Sequence, residues 1–197
     1  MPRIVDHHQR RREVSAATLR VVVRDGLNGV TIRAVARESG WSTGVLNHYF
    51  ENKRALLLAA LREAATQADH NLQKTLRSNR SSLETIRATL EEMLPLDQRR
   101  RAMCEVFAYF YGEAASDPHM AEEMHTYYTN WRRVVRDAVI EGQADGTIRR
   151  ELDPTLVSEM LVAMADGLGL QGIFDPAIQS PRRQRQHVVE WLSYLTA

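Results

Sequence analysis

The amino-acid sequence predicts an all-α fold of about nine helices, and three observations lead to this prediction. Apolar residues recur at helical spacing along most of the 197 residues. The alternation of apolar and polar residues that marks a strand is scarce. Three junctions place a capping side chain before a proline, which loses nothing at the first helical position because its amide would lack a partner there: Asp117-Pro118, Asp153-Pro154 and Ser180-Pro181.

The helices are expected in the following order along the chain. They span residues 7–25, 32–39, 43–49, 53–78, 82–94, 98–115, 118–144, 154–172 and 181–196. The first has the weakest signal, because Val21-Val22-Val23 favours a strand. Its apolar stripe nevertheless has helical spacing: Val14, Ala17, Thr18, Val21 and Val22.

Capping residues and glycines justify the remaining boundaries. Side chains that accept from the first free amides of a helix precede five of them: Thr31, Ser42 or Thr43, Asn52, Ser81 with Glu84 as a capping box, and Asp97. Three glycines stand where helices or their connections should end: Gly26, Gly40 and Gly146.

Composition limits the class of protein. No run of 18 apolar residues exists, so we expect no membrane span, and MPRIVDHHQRRR has no apolar segment of a signal peptide. The single cysteine, Cys104, excludes an intrachain disulfide framework and fits a reducing cytoplasm. We therefore expect a cytoplasmic protein.

The charge of the chain is unevenly distributed. Residues 1–62 hold 11 Lys and Arg against 5 Asp and Glu, whereas the rest hold 15 against 20. This asymmetry indicates a basic module for a polyanion joined to a neutral or acidic module. Chance fluctuation of charge along a chain is the alternative on this feature alone.

The second and third helices are separated only by SGWS, residues 39–42. A helix, a tight glycine turn and a second helix form a helix-turn-helix, whose second helix enters the major groove of DNA. On the third helix, Leu46 and Phe50 share a face and should pack inward. The opposite face should then offer groups to base edges and phosphates: Ser42, Thr43, Gly44, Val45, Asn47 and His48.

Residues that flank this helix are candidates for phosphate contacts, which fix the register on DNA without reading its sequence. They are Thr31, Arg33, Arg37, Tyr49 and Lys53. For Arg33, contact with a base edge is the alternative to contact with a phosphate. Arg3 and Arg10-Arg11-Arg12 are candidates for a basic arm along the backbone or into the minor groove.

The segment TIRAVARESGWSTGVLNHYFENKRALLLAAL, residues 31–61, resembles the DNA-binding domain of the TetR family of bacterial repressors. The resemblance covers roughly residues 8–68 and rests on several positions: Thr31, Ala36, Gly40, Ser42, Tyr49-Phe50, Lys53 and Leu56. His48-Tyr49-Phe50 is similar to the BetI-like branch. Asn47, where many members carry tyrosine, and Trp41, where a small aliphatic residue is usual, depart from the pattern.

The resemblance implies a homodimer that binds a palindromic operator and is released by a small-molecule effector. Residues 8–68 would bind DNA, and residues 69–197 would bind the effector and dimerise. Two alternatives stay open: an architectural or activating DNA-binding protein that ignores ligands, and an all-helical bundle that only binds other proteins. A purely structural role is also the alternative for the first three helices taken alone.

The C-terminal half contains apolar stripes with methionines and aromatic residues, which line ligand sites between facing helices in other helical bundles. A mostly apolar effector of modest size would suit them, although such stripes are more often simply core. The candidate effector-binding residues are Met103, Phe107, Phe110, Tyr111, Met124, Tyr128, Trp131 and Met164.

The last two long helices, near 154–172 and 181–196, are the candidate dimer interface. The first is apolar, with small residues Ala163, Gly167 and Gly169 that permit close approach, and the second places Val188, Leu192 and Leu195 on one face. Burial of these residues inside one protomer is the alternative.

No enzymatic motif stands out in the chain. Glu122-x-x-His125 has the spacing of a di-iron ligand pair, but no second such motif follows. No nucleophile elbow, P-loop or dinucleotide fingerprint is present. Cys104 lies in the apolar stretch MCEVF, where a buried, inert thiol is expected. We therefore predict a protein that is not an enzyme, with no cofactor and no metal.

Overall fold

The computed structural model describes residues 7–77 and 81–196, and confirms the all-α prediction for that part of the chain. No strand occurs there, and helix follows helix. The helices are α1 His7–Gly29, α2 Ile32–Ser39, α3 Thr43–Tyr49, α4 Lys53–Arg77, α5 Ser82–Glu92, α6 Gln98–Ala114, α7 Pro118–Asp145, α8 Pro154–Phe174 and α9 Pro181–Ser193.

The predicted capping residues begin the helices by accepting hydrogen bonds from free amides. Thr31 Oγ1 accepts from the Ala34 amide at 3.0 Å, and Asn52 Oδ1 accepts from Ala55 at 2.9 Å. Ser42, rather than Thr43, caps α3. The capping box of α5 and the three junctions with proline also form as predicted.

Helix α1 continues past its predicted end at residue 25 to Gly29, but with a kink. Gly26 lies at φ +69° and ψ −179°, a conformation that is neither helical nor accessible to residues with a Cβ. The predicted interruption at Gly26 is therefore present, and a further helical turn follows it.

The chain divides into two compact units, one ending at Gln67 and the other beginning at Ala68. In the first, α1 packs on α2 and α2 on α3. Their core consists of small and branched apolar side chains, among them Val14, Val21, Val35, Leu46 and Phe50. This packing leaves the opposite side of α3 exposed.

In the second unit, α5, α7, α8 and α9 surround one apolar core that includes Ile86, Val135 and Leu161. The face of α9 predicted for the dimer interface belongs to this core. Val188, Leu192 and Leu195 are buried against their own chain, because α9 packs on α5 and α8. The exposed apolar residues of α9 and its end are Val189 and Tyr194 instead.

Among the described helices, α8 alone is long and apolar enough to cross a membrane. One face of α8 lies in the core of the second unit, which explains much of its apolar character. Another face carries Leu156, Met160 and Met164, which are exposed in this single chain. Four-residue spacing places these three side chains in one stripe along the helix.

Candidate functional site

Helix α3 has an inner face that anchors it and an outer face free to meet a ligand. Leu46 and Phe50 are fully buried, as their four-residue spacing predicts. Gly44, Asn47 and His48 are exposed on the other side. Such a short helix gains little stability from its own hydrogen bonds, so these two apolar anchors hold its outer face in place. Thr43 is also exposed, whereas Val45 and Tyr49 are partly covered.

Exposed cationic side chains lie on α2, the helix that packs against α3. Arg33 and Arg37 are exposed on α2, and neither forms an ion pair within residues 7–77 and 81–196. Two other arginines on α1 are already engaged, since Arg20 and Arg24 each lie 2.7 Å from Glu38. Their hydrogen bonds hold the pKa of the Glu38 carboxyl below its usual value. The ion pairs join α1 to α2, and the cations of α2 remain available.

The three consecutive arginines predicted as a basic arm lie within α1, inside the helix predicted over residues 7–25. Arg10, Arg11 and Arg12 follow His7 in its first two turns, so their backbone is helical. Arg3, the other residue of the predicted arm, lies outside the described residues.

The second unit contains a cavity between α5, α6, α7 and α8. It comprises about 520 Å³ of empty space, which includes open solvent at its mouth. Five of its twelve lining residues are aromatic, and these are Phe107, Tyr111, Tyr127, Tyr128 and Trp131. The remaining lining residues are Glu92, Met93, Met103, Cys104, Asp166, Gly169 and Leu170.

A carboxylate from α8 lies among these rings. Asp166 accepts a hydrogen bond from the Tyr111 hydroxyl of α6 through one oxygen, and from the Tyr128 hydroxyl of α7 at 2.9 Å through the other. Burial and the adjacent carboxylate raise the pKa of both phenols, so both remain neutral donors. Three helices thus meet at one acidic side chain.

The charge of Asp166 has no cationic partner within the described residues, unlike that of Glu92. Arg99 lies 2.9 Å from Glu92, so the second acidic group of the cavity is already compensated. One turn further along α8 the backbone packs closely on the end of α5, because a Cβ at Gly169 would lie 2.9 Å from the Met93 carbonyl oxygen. The cavity therefore combines aromatic walls with one uncompensated carboxylate.

Family models match both parts of the chain. Residues 15–60 match the model of bacterial regulatory proteins of the tetR family, and residues 82–197 match that of the C-terminal part of BetI-type transcriptional repressors. The second match alone covers more than half of the chain. The protein belongs to the TetR family, in its BetI-like branch.

Similar proteins agree with this assignment over nearly the whole chain. The regulator PksA of Bacillus subtilis is 25% identical over 96% of this chain and 91% of its own. The regulator BetI of Klebsiella pneumoniae is 28% identical over 87% and 86%. A transcriptional regulator of Saccharomonospora viridis, solved in complex with choline, has 24% identity and a TM-score of 0.84, with coverage of 97% and 100%.

The protein is accordingly a DNA-binding transcriptional regulator with a ligand-binding C-terminal domain, and the prediction that it is not an enzyme is confirmed by its family. Glu122 and His125, which have the spacing of a di-iron ligand pair, are both exposed on α7. Within the described part of the chain, no group of three metal-ligating side chains comes together.

This TetR-family cavity contains five of the eight side chains predicted to bind an effector: Met103, Phe107, Tyr111, Tyr128 and Trp131. The other three do not line it. Phe110 and Met124 point into the core and are almost fully buried, whereas Met164 lies on the exposed stripe of α8. Helical spacing identified apolar faces correctly but did not distinguish a face toward the cavity from a face toward the core.

The uncompensated carboxylate of the cavity, Asp166, was not among the residues predicted from the sequence. Asp166 interrupts the apolar run of α8, and such a charge in a helix with a buried face is a signal for a site. Tyr127 and Glu92 carried no such signal, because charged and aromatic residues are common on exposed helices.

The only cysteine of the chain, Cys104, lies in the wall of the cavity. Its thiol donates to the Met93 carbonyl oxygen at 3.3 Å. Burial, and then the charge of Asp166, raise the pKa of the Cys104 thiol to about 12. A thiol in this environment is a poor nucleophile, since the thiolate is the reactive form.

We predict that the folded protein reacts slowly with an aromatic disulfide reagent at pH 8. With a pKa about four units above that pH, roughly one thiol in ten thousand is ionised, so labelling should be about a thousandfold slower than in denaturant. The rate should rise with pH up to the pKa. Stopped-flow absorbance measures it, and equal rates in folded and denatured protein would contradict the burial.

Proposed function

We propose that this regulator represses transcription by binding a palindromic operator as a homodimer, and that a small organic cation with an alkylated ammonium group releases it. The observation that carries the effector assignment is the Asp166 carboxylate among aromatic rings. A protein acting on bacterial DNA works in the cytoplasm, and we place this one there. Following the expected domains, residues 8–68 bind DNA, and residues 69–197 bind the effector and form the dimer.

The outer face of α3 reads the operator. His48 and Asn47 offer polar groups to base edges, Val45 offers an apolar contact for a thymine methyl, and Gly44 allows close approach. Their arrangement around the buried Leu46 supports this role. The remaining residues contact the sugar-phosphate backbone: Thr31, Arg33, Ser42, Thr43, Tyr49 and Lys53.

The effector is a cation with an apolar surface, which refines the expectation of a mostly apolar molecule. Aromatic faces attract alkylated ammonium groups, and the ring walls bind methyl groups through apolar contact. Asp166 supplies the opposite charge, and no other described side chain compensates it. The S. viridis regulator was solved with choline, which has these properties. Choline is therefore the first compound to test.

The dimer forms through the exposed sides of α8 and α9. Leu156, Met160 and Met164 form one apolar stripe on α8 in the single chain, and Val189 and Tyr194 add exposed apolar area on α9. A stripe of this kind becomes stable in water when a second copy covers it. Ala163 and Gly167 lie on the accessible side of α8 and allow the partner helix to approach closely.

Effector binding and dimerisation are coupled because α8 takes part in both. A cation at Asp166 competes with the Tyr111 and Tyr128 hydroxyls that join α6 and α7 to α8. The ligand therefore favours a different arrangement of these helices. In that arrangement the two α3 helices no longer match half-sites about one turn, roughly 34–36 Å, apart.

The proposal is tested by selecting random duplex DNA with the purified protein at about 150 mM salt, which suppresses non-specific phosphate binding. We expect an enriched palindrome, and we expect choline to release the protein from this DNA. Enrichment without release by choline or related ammonium compounds would contradict the effector assignment and favour a ligand-independent regulator. A sequence without symmetry would contradict the dimer.

Two substitutions separate base reading from phosphate contact. His48→Ala should cost about 1–3 kcal/mol on the selected operator and relax its sequence preference. Lys53→Ala should weaken binding to all sequences alike and lower the salt slope by about one. Fluorescence anisotropy on matched and scrambled duplexes measures both. An equal loss on both duplexes for His48→Ala would exclude it as a base reader.

A further inference from the structure

Two neighbouring arginines of α1 lie over aromatic rings at the two ends of α3. The guanidinium carbon of Arg10 is 4.6 Å from the centroid of the Trp41 ring, which comes just before the cap of α3. That of Arg11 is 5.5 Å from the centroid of the Phe50 ring, which ends α3. The first turns of α1 therefore contact the residues that flank α3, the recognition helix, on both sides.

The two rings differ in burial, and this difference separates the roles of the arginines. Phe50 is fully buried, so Arg11 covers the edge of the core. Trp41 is only partly covered and lies in the turn between α2 and α3, among the small polar residues Ser39, Gly40 and Ser42. Its indole therefore provides a flat surface at the side of the domain where α3 begins, beside the exposed Thr43 and Gly44.

Arg10 retains its charge for an external partner. Within the described residues it forms no ion pair, in contrast to Arg20 and Arg24, which are bound to Glu38. An arginine stacked on an aromatic ring keeps its N–H donors at the edge of the guanidinium plane. Stacking also restricts a long side chain that would otherwise lose much conformational freedom on binding.

We propose that Trp41 is a positioning residue for DNA binding, and that it holds Arg10 against a backbone phosphate next to the N-terminal end of the recognition helix. Arg10 contacts the phosphate and Trp41 acts through Arg10. The contact is independent of sequence, so it increases affinity for any duplex and fixes the angle at which α3 enters the groove.

The salt dependence of binding to a random duplex tests this inference, independently of any operator, effector or dimer. Arg10→Ala should lower the slope of log affinity against log salt by about one, the value for a single phosphate contact. Trp41→Ala should lower it by a similar amount although it removes no charge. The double variant should lower the slope little further than either single variant. Trp41→Phe should retain most of the contact between the ring and Arg10.

Arg12 is the matched control, because it lies in the same turns of α1 without a described ring beneath it. Arg12→Ala should change the salt slope by the same amount whether position 41 is tryptophan or alanine. An unchanged slope for Arg10→Ala would overturn the proposal, and so would additive effects of Arg10→Ala and Trp41→Ala. If Trp41→Ala lowers the helical circular-dichroism signal at the assay temperature, the slopes of Arg10→Ala and Trp41→Phe decide the question.

Discussion

Replacing Asp166 with asparagine is expected to lower the affinity for choline by roughly ten- to a hundredfold, the effect of losing a charge-assisted contact of about 1.5–3 kcal/mol. Asparagine has the same shape and still accepts from a tyrosine hydroxyl, but it carries no charge. The neutral analogue 3,3-dimethylbutan-1-ol has carbon in place of the ammonium nitrogen. Its affinity should change little, because it has no charge to lose a partner. Calorimetric titration measures both.

Glu92 provides the control for this substitution. It also lines the cavity, but its carboxylate is already paired with Arg99 at 2.9 Å. Glu92→Gln should therefore leave choline affinity within a factor of about three, consistent with the small net value of partly exposed ion pairs. If Asp166→Asn lost affinity for choline and for its neutral analogue equally, a collapsed cavity would be the cause. Unchanged choline affinity would refute Asp166 as the counter-ion.

Replacing Met160 with glutamate is expected to produce a monomer and to lower operator affinity by roughly a hundred- to ten-thousandfold, the gain that linking two binding modules provides. Met160 lies at the centre of the α8 stripe with 62% of its surface exposed. In a twofold interface the substitution places two carboxylates in an apolar contact, where each lacks a partner. Sedimentation equilibrium and anisotropy on the palindrome measure the two effects.

Ile140 is the matched control on α7. It is 49% exposed, comparable to Met160, but it lies outside the stripe of α8 and α9. Ile140→Glu should leave both the dimer and operator binding intact. A dimer that persists in Met160→Glu would place the interface elsewhere. Because the substituted residue is on the surface, the helical circular-dichroism signal should stay unchanged in both variants.

Local chemistry explains why much of the fold was predictable. Thr31, Asn52, Ser81 and the aspartates before proline each satisfy amides within three residues of themselves, so the cap depends on a short stretch of chain. Leu46 and Phe50 pack inward because a short amphipathic helix has only one face to bury. The outer face of α3 follows from the same geometry.

The cavity was predictable only in part. Phe107 and Phe110 are both apolar residues of α6, yet one lines the cavity and the other is fully buried in the core. Periodicity indicates that a face is apolar, but it does not identify the element that covers it. For the same reason, periodicity did not show that Val188 and Leu192 are covered by α5 and α8 of their own chain.

By itself the sequence determined the all-helical class, most helix boundaries, the helix-turn-helix and the family, because these depend on local hydrogen bonding, spacing and a contiguous motif. Only the tertiary structure decided that Asp166 lies between Tyr111 and Tyr128, residues 55 and 38 positions away. It also decided that Arg10 stacks on Trp41. Such contacts join side chains distant in sequence, and their energy depends on how whole helices pack, which no local pattern records.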